Sequence, residues 1–366
     1  MRHPDRSAFR DPANYWVACL SEMAGPAIRV VTALRGGVKP GPPREWRRAL
    51  LLGAGHIGDV LYNTPSLPAL KRGLPQCEWF HSVPALAAGV LAGHPDLAGT
   101  IAPADIEARR KDFDAIICYN SGASWRETSA AWRWGIPNRV AYVHKGFSAL
   151  VTHPILIRRP QSYPAYFRDL VSQLTGLAPE WPLRPLVYPD ASHELEAANL
   201  WQELKLGARP VVAAFITSRQ PSGVWPAEKF GGTLLDLHRR LDCDTLLLGS
   251  AEDEPALIRV RDQAGLPSRV LAGKLSLLGL VCFLRRCRAA ITTDSGPRHL
   301  ANAAGIPVFF VPNLAVGKIE TGAYLETETD LAPDLEWVPP SGQADAFARL
   351  EPARVAEIIA ANLLPS

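Results

Sequence analysis

The residues best able to do chemistry fall in two groups. The first is Gly53-Ala54-Gly55-His56-Ile57-Gly58-Asp59, which follows the apolar run Arg48-Ala49-Leu50-Leu51-Leu52. Glycines spaced G-x-G-x-x-G between a strand and a helix let a backbone close on a pyrophosphate. A nicotinamide site also wants an acidic residue closing the second strand about 20 residues on, to hold ribose hydroxyls. Glu78 has that spacing but opens the strand Glu78-Trp79-Phe80. The ribose anchor is misplaced, which leaves a nicotinamide oxidoreductase as a rival reading. Asp59 is more informative. It stands in the first helical turn at the carboxyl edge of a strand, where open α/β sheets bind ligands. A carboxylate there can serve as a general base, or merely complement the helix dipole.

The second group is Ile291-Thr292-Thr293-Asp294-Ser295-Gly296-Pro297-Arg298-His299-Leu300. It reads as a strand ending in hydroxyls, a turn, and a helix with proline in its first turn. Free amides and the positive dipole end at Ser295 and Gly296 suit a phosphate, and Arg298 and His299 can add donors to the same anion. The alternative is a capped helix with Asp294 or Ser295 as N-cap and no ligand. Two further strand ends converge on this chemistry. One delivers Thr217, Ser218 and Arg219; the other delivers Glu252, placed to accept hydrogen bonds from a ribose or sugar. Together they describe a nucleotide-diphosphate pocket.

These residues need elements to hold them. Strands are expected over 48–52, 77–80, 100–102 and 113–118, with helices over 58–72 and 84–92 between them. A proline-rich connection over 181–189 follows. A second alternation has strands over 210–215, 244–248, 268–271, 289–291 and 308–311, separated by helices, and a last helix over 352–364 that has no sheet left to extend. The expected architecture is α/β, two doubly wound Rossmann-like domains facing a cleft. An N-terminal extension covers 1–46, a first domain 47–190 and a second 191–366, with the final helix a candidate to cross back. A chain of 366 residues that is 47% hydrophobic and 20% charged can fill two cores. Its net charge of +3 gives no nucleic-acid footprint. Six scattered cysteines without a C-x-x-C pair point to a reducing cytoplasm, and the histidines lack metal-ligand spacing. Residues 15–34 are apolar with Arg29 and Arg35 nearby, broken by Gly25-Pro26. They fit either peripheral contact with an anionic membrane surface or a helix packed on the body.

Five ordered motifs resemble glycosyltransferase family 9, the heptosyltransferases of lipopolysaccharide core assembly. They are Gly58-Asp59-Val60-Leu61-Tyr62-Asn63-Thr64-Pro65, Gly93-His94-Pro95-Asp96, Trp225-Pro226-Ala227-Glu228-Lys229-Phe230, Gly273-Lys274-Leu275-Ser276-Leu277, and Asp294-Ser295-Gly296-Pro297-Arg298-His299-Leu300-Ala301. The resemblance spans about residues 49–312. It implies a GT-B fold with acceptor and base on the first domain and sugar nucleotide on the second. Asp59 matches the family's catalytic carboxylate, which takes a proton from the acceptor hydroxyl as that oxygen attacks the anomeric carbon with inversion. The leaving ADP would be held without a metal or other cofactor by the amides of Ser295 and Gly296, with Arg298 and His299 nearby. Thr217, Ser218, Glu252 and Asp294 match donor-contacting positions. Gly58, Asn63, Trp125 and Arg126 fall on the acceptor side. The implied partners are a nucleotide sugar and a glycan or lipid-linked acceptor at the cytoplasmic face of the inner membrane.

One position departs from the family. The lysine usually found two residues before the Trp-Pro pair is Gly223 here. Arg219, Lys274 or Arg298 are the available substitutes, though Lys and Arg differ in geometry. The departure keeps two alternatives open: a relative using another nucleotide sugar, and a catalytically impaired sugar-nucleotide-binding protein.

Overall fold

The computed structural model describes residues 12–34, 39–53, 55–121, 124–218 and 224–363. The chain divides into two compact units, Met1–Leu183 and Arg184–Ser366. Arg219 and Gly223 lie outside the described residues.

Unit 1 contains six parallel strands: β1 (Arg48–Leu52), β2 (Glu78–Ser82), β3 (Gly99–Ile101), β4 (Ala115–Cys118), β5 (Asn138–Tyr142) and β6 (His153–Ile155), in the order β3-β2-β1-β4-β5-β6. Alternate residues feed opposite faces. Ala49, Leu51, Ala115 and Ile117 join one core with Leu70, Phe167 and Leu170, while Leu50, Leu52, Ile116 and Cys118 join another with Ile106 and Ala131. A sheet covered on both faces favours apolar residues on both, so β4 and residues 49–52 of β1 read as unbroken hydrophobic runs.

Unit 2 repeats the plan with β7 (Val211–Phe215), β8 (Asp244–Gly249), β9 (Arg269–Ala272), β10 (Ala289–Thr293), β11 (Val308–Val311) and β12 (Glu328–Asp330). All pairs are parallel, in the order β12-β11-β10-β7-β8-β9. Each sheet thus has the 3-2-1-4-5-6 order of a doubly wound fold. The reversal of direction falls between β1 and β4 in one unit and between β7 and β10 in the other, and ligands bind at such switch points.

Several local readings change. The expected helix over 58–72 is interrupted. It runs Ile57–Asn63, tightens into a 3-10 turn at Thr64–Ser66, and resumes as Leu67–Gly73. Pro65 and Pro68 supply no N–H to a continuous α-ladder. The final helix, Pro352–Leu363, belongs to unit 2. Val355, Ala356, Ile359 and Leu363 pack with Phe230, Leu234 and Leu237 of the helix Ala227–Leu241, inside unit 2. The N-terminal extension forms two helices, Pro12–Met23 and Gly25–Leu34, within unit 1. Among the described residues, no helix is long and apolar enough to cross a membrane.

Candidate active site

In unit 1, β1 ends at Leu52 and the helix Ile57–Asn63 begins with His56 as its N-cap. Asp59 is the third helical residue, and its carboxylate accepts the His56 backbone N–H. This is the returning half of a capping box, and it fixes the carboxylate over the first turn. Burial raises the Asp59 pKa above its ordinary 3.8, with the His56 charge and N–H acting in the opposite direction. A desolvated carboxylate held by one donor is a stronger base than a solvated one.

A buried polar chain lies behind it. Asn63 Nδ2 donates to the Asp59 carbonyl at 2.8 Å, and the Asn63 side chain also bonds Tyr119. His81 Nδ1 sits 3.2 Å from the Ser82 carbonyl, which can only accept. That carbonyl places the ring proton on Nδ1 and leaves Nε2 to accept from the Tyr119 hydroxyl at 3.4 Å. Burial lowers the His81 pKa to about 4, so the imidazole is neutral.

Tyr119 also explains the glycine fingerprint. A Cβ on Gly53 would stand 2.3 Å from the Tyr119 ring, and one on Gly55 would stand 2.7 Å from Pro84. The room these glycines create is filled from within, at the β1/β4 switch point where a dinucleotide would need it. Glu78 lies at the opposite end of its strand from Ser82 and pairs with Arg48 at 3.2 Å. Neither feature is arranged for a nicotinamide cofactor.

The acceptor-side residues separate into two kinds. Gly58 is buried, and Asn63, only 3% exposed, faces inward to Asp59 and Tyr119. Trp125 is 39% exposed, stacks on Phe147 at 5.5 Å, and carries the Arg126 guanidinium 5.2 Å from its ring. That face offers a flat aromatic and a cation to solvent.

In unit 2, the strand ends that carry the donor residues share one sheet edge, because β7 lies between β10 and β8 and all run parallel. Thr217 and Ser218 follow β7, and Asp294 and Ser295 follow β10. Thr293 Oγ1 donates to the Thr217 carbonyl at 3.3 Å and ties the two loops together. Ser295 is the N-cap of the helix Gly296–Ala304, and its side chain makes no bond to the helix amides. Its Oγ pairs instead with Thr293 Oγ1 at 2.9 Å. Glu252, after β8, and Lys274, after β9, are both exposed. Gly273 adopts φ +62, and a Cβ there would meet Ala251 at 2.9 Å, so the two loops touch through it.

Arg298 and His299 do not face this rim. Arg298 is fully buried, with Nε donating to Glu328 at 2.6 Å and Nη1 to Asp294 and the Thr321 carbonyl at 2.8 and 2.6 Å. Its Nη2 donates to the Gly322 carbonyl at 2.7 Å, and the guanidinium lies 3.5 Å from the Phe310 ring centre. The bonding capacity that the sequence offered to a phosphate is used inside the fold. His299 Nδ1 bonds the Tyr324 hydroxyl at 2.9 Å, and burial holds its pKa well below 6.5. It contributes no positive charge. Asp294 is consequently the carboxylate partner of Arg298, with its pKa raised by burial.

A cavity of about 430 Å³ is lined by Thr217, Glu228, Arg259 and Gln263 among others, and among the described residues it includes Thr217 alone of the expected donor positions. Arg259 was invisible to motif reading because it sits mid-helix, four residues before Gln263 on the same face. Among the described residues, no group of three His, Cys, Asp or Glu side chains is placed to hold a metal ion.

Two parallel 3-2-1-4-5-6 sheets, one ending in a desolvated carboxylate and the other in a hydroxyl-rich helix start, define the GT-B class of glycosyltransferase fold. The model of glycosyltransferase family 9 (heptosyltransferase) matches residues 108–311, and the chain belongs to that family. It is 24% identical over 290 residues to the lipooligosaccharide heptosyltransferase 2 of Haemophilus influenzae, covering 71% of this chain and 81% of that one. Among solved structures it is similar to the family 9 glycosyltransferase of Veillonella parvula, with a TM-score of 0.70 and 20% identity over 89% of this chain and 98% of that one. The ADP-heptose lipopolysaccharide heptosyltransferase II of E. coli matches with a TM-score of 0.65 and 19% identity, over 86% and 98% of the two chains.

Proposed function

We propose that this family 9 glycosyltransferase is an inverting, metal-independent enzyme that moves a heptose from an ADP-linked donor to a lipopolysaccharide-core or related glycan acceptor. The observation that carries the reading is Asp59, a carboxylate desolvated in the first turn of the helix Ile57–Asn63 and steadied by the His56 N–H. Asp59 takes the proton of the acceptor hydroxyl. The oxygen attacks the anomeric carbon, the bond to the diphosphate breaks, and the electron pair leaves with ADP. The N-terminal amides at Ser295 and Gly296 and the hydroxyls of Thr217 and Ser218 receive the charge that develops there. Lys274 adds a cation, and Glu252 accepts from the ribose. The names of the Haemophilus and E. coli relatives support heptose as the sugar and ADP as its carrier. We place the enzyme at the cytoplasmic face of the inner membrane, where a lipid-linked acceptor is presented.

The test is Asp59→Asn, which keeps an acceptor for His56 N–H and removes the base. Transfer is expected to fall by about 10²–10⁴-fold while calorimetric ADP binding persists. Retained transfer removes Asp59 from the role, and loss of transfer on chelation with EDTA removes metal independence. A thermal-shift preference for UDP or GDP over ADP would reassign the donor.

A second reading, a sugar-nucleotide-binding protein of impaired turnover, is favoured by Gly223 at the family's lysine position together with the internal use of Arg298. Gly223→Lys separates the two. Near-zero transfer in both forms supports the impaired protein, and brisk transfer by the unaltered chain excludes it.

A further inference from the structure

The two N-terminal helices are packed inside out. On the first, the small and polar residues face the body. Ala18 lies against Gly146, whose φ is +84, and Ser21 Oγ accepts the Phe147 N–H at 3.1 Å. Both Glu22 oxygens accept from Ser148, one from its N–H at 2.7 Å and the other from its hydroxyl at 2.6 Å. On the second, Thr32 Oγ1 accepts Trp132 Nε1–H at 2.8 Å. The large apolar side chains point the other way. Trp16 is 64% exposed and Met23 68%, with Val17, Leu20, Val30 and Val31 also open to solvent. A helix that merely covers a soluble protein shows the reverse pattern.

Charge identifies what this face meets. Glu22 and Arg29 are the charged residues of the two helices, and the Glu22 carboxylate is taken up by Ser148, which leaves Arg29 as the exposed charge. The first 39 residues carry six Lys and Arg against three Asp and Glu, so the whole net charge of +3 is concentrated there and the rest of the chain is neutral. An apolar stripe with an exposed tryptophan and a basic flank has the composition of a helix lying in a bilayer interface. A second copy of the chain would bring like charge against like.

We propose that the helices Pro12–Met23 and Gly25–Leu34 are a docking surface for an anionic phospholipid bilayer, with the Trp16, Leu20 and Met23 stripe seated among the acyl chains. The inference locates the membrane contact of the proposed function and rests on that reading only for its purpose. Phe147 joins this surface to the acceptor side, since its N–H meets Ser21 and its ring stacks on Trp125. A lipid-linked acceptor would thus arrive beside Trp125 and Arg126.

The experiment is co-sedimentation of the full chain with phosphatidylcholine vesicles, with and without phosphatidylglycerol, alongside transfer to a water-soluble acceptor. The unaltered chain is expected to bind the anionic vesicles, and to bind neutral ones at least about fivefold more weakly. Trp16→Ser, Leu20→Ser and Met23→Ser should each weaken binding by about tenfold while the thermal midpoint and transfer to the soluble acceptor stay unchanged. Absence of vesicle binding by the unaltered chain overturns the proposal, even where soluble transfer proceeds. Equal binding by the substituted chains overturns it as well. So does self-association in light scattering that the same substitutions abolish in chains that ignore vesicles. Vesicle binding without any transfer would instead leave the docking surface standing and remove the transferase reading.

Discussion

Arg298→Met separates a phosphate ligand from a structural hub. Methionine keeps much of the apolar stem and removes every guanidinium N–H. The Glu328 carboxylate would keep Asn302 Nδ2 at 2.8 Å and the Tyr324 and Leu325 N–H groups, but lose its cation. The Asp294 carboxylate would lose its cationic partner as well, and the carbonyls of Thr321 and Gly322 would lose donors. Removing one side of a buried ion pair costs about 3–5 kcal/mol. In a unit of this size that lowers the unfolding midpoint by roughly 6–20 °C. Urea or thermal unfolding measures the loss, and Glu328→Gln in the same chain should recover part of it, with a coupling of about 1–3 kcal/mol. Asp294 adds a pH signature. Its folded pKa is already raised by burial, and losing Arg298 raises it further, so the native state binds protons that the unfolded state does not. The deficit of the variant should therefore shrink as pH falls. A variant as stable as the unaltered protein, but unable to bind ADP, would refute this account and return the guanidinium to the ligand.

Gly53→Ala should cost about 1–3 kcal/mol, because its Cβ would stand 2.3 Å from the Tyr119 ring and the core must move. Tyr119→Phe in the same chain should leave that cost in place while Tyr119→Ala relieves it, as urea midpoints would show. His81 predicts acid sensitivity, since its pKa drops from 6.5 unfolded to about 4 folded. Its contribution is intact above pH 6.5 and lost as pH falls toward about 4, worth roughly 3 kcal/mol in full. A His81→Gln chain should show a flatter midpoint-against-pH curve over that window; an unchanged slope would remove His81 as the cause.

Much of the fold was legible because most parallel strands covered on both faces are apolar along their length. β1 (Arg48–Leu52) and β11 (Val308–Val311) match the expected residues end for end. The strands that hydrophobic patterning does not mark are polar or interrupted. β5 is Asn-Arg-Val-Ala-Tyr, β6 is His-Pro-Ile and β12 is Glu-Thr-Asp. A buried charge in a strand cannot be told from a surface one until its partner is known. Arg139 in β5 is satisfied by the carbonyls of Ile136 and Leu150 at 2.6 Å each, and backbone carbonyls leave no mark in a sequence.

The inward turn of Arg298 and the obscurity of β12 have one cause. Arg298 and Asn302 are spaced four apart on one face of the helix Gly296–Ala304, and Asp294 stands just before its N-cap, Ser295. A pair such as Arg298 and His299 beside a helix start reads as a source of donors to an anion. It reads equally as the complement of a buried acid, and that acid is Glu328 in the unnoticed β12. Once β12 is placed, Glu328 and Asp294 together account for the Arg298 charge at the far edge of the second sheet. The helix start then divides by direction. Residues 298, 299 and 302 turn inward and fix the helix, while Ser295 and Gly296 stay half-exposed. An anion bound at this helix start would meet backbone amides and hydroxyls rather than the Arg298 guanidinium.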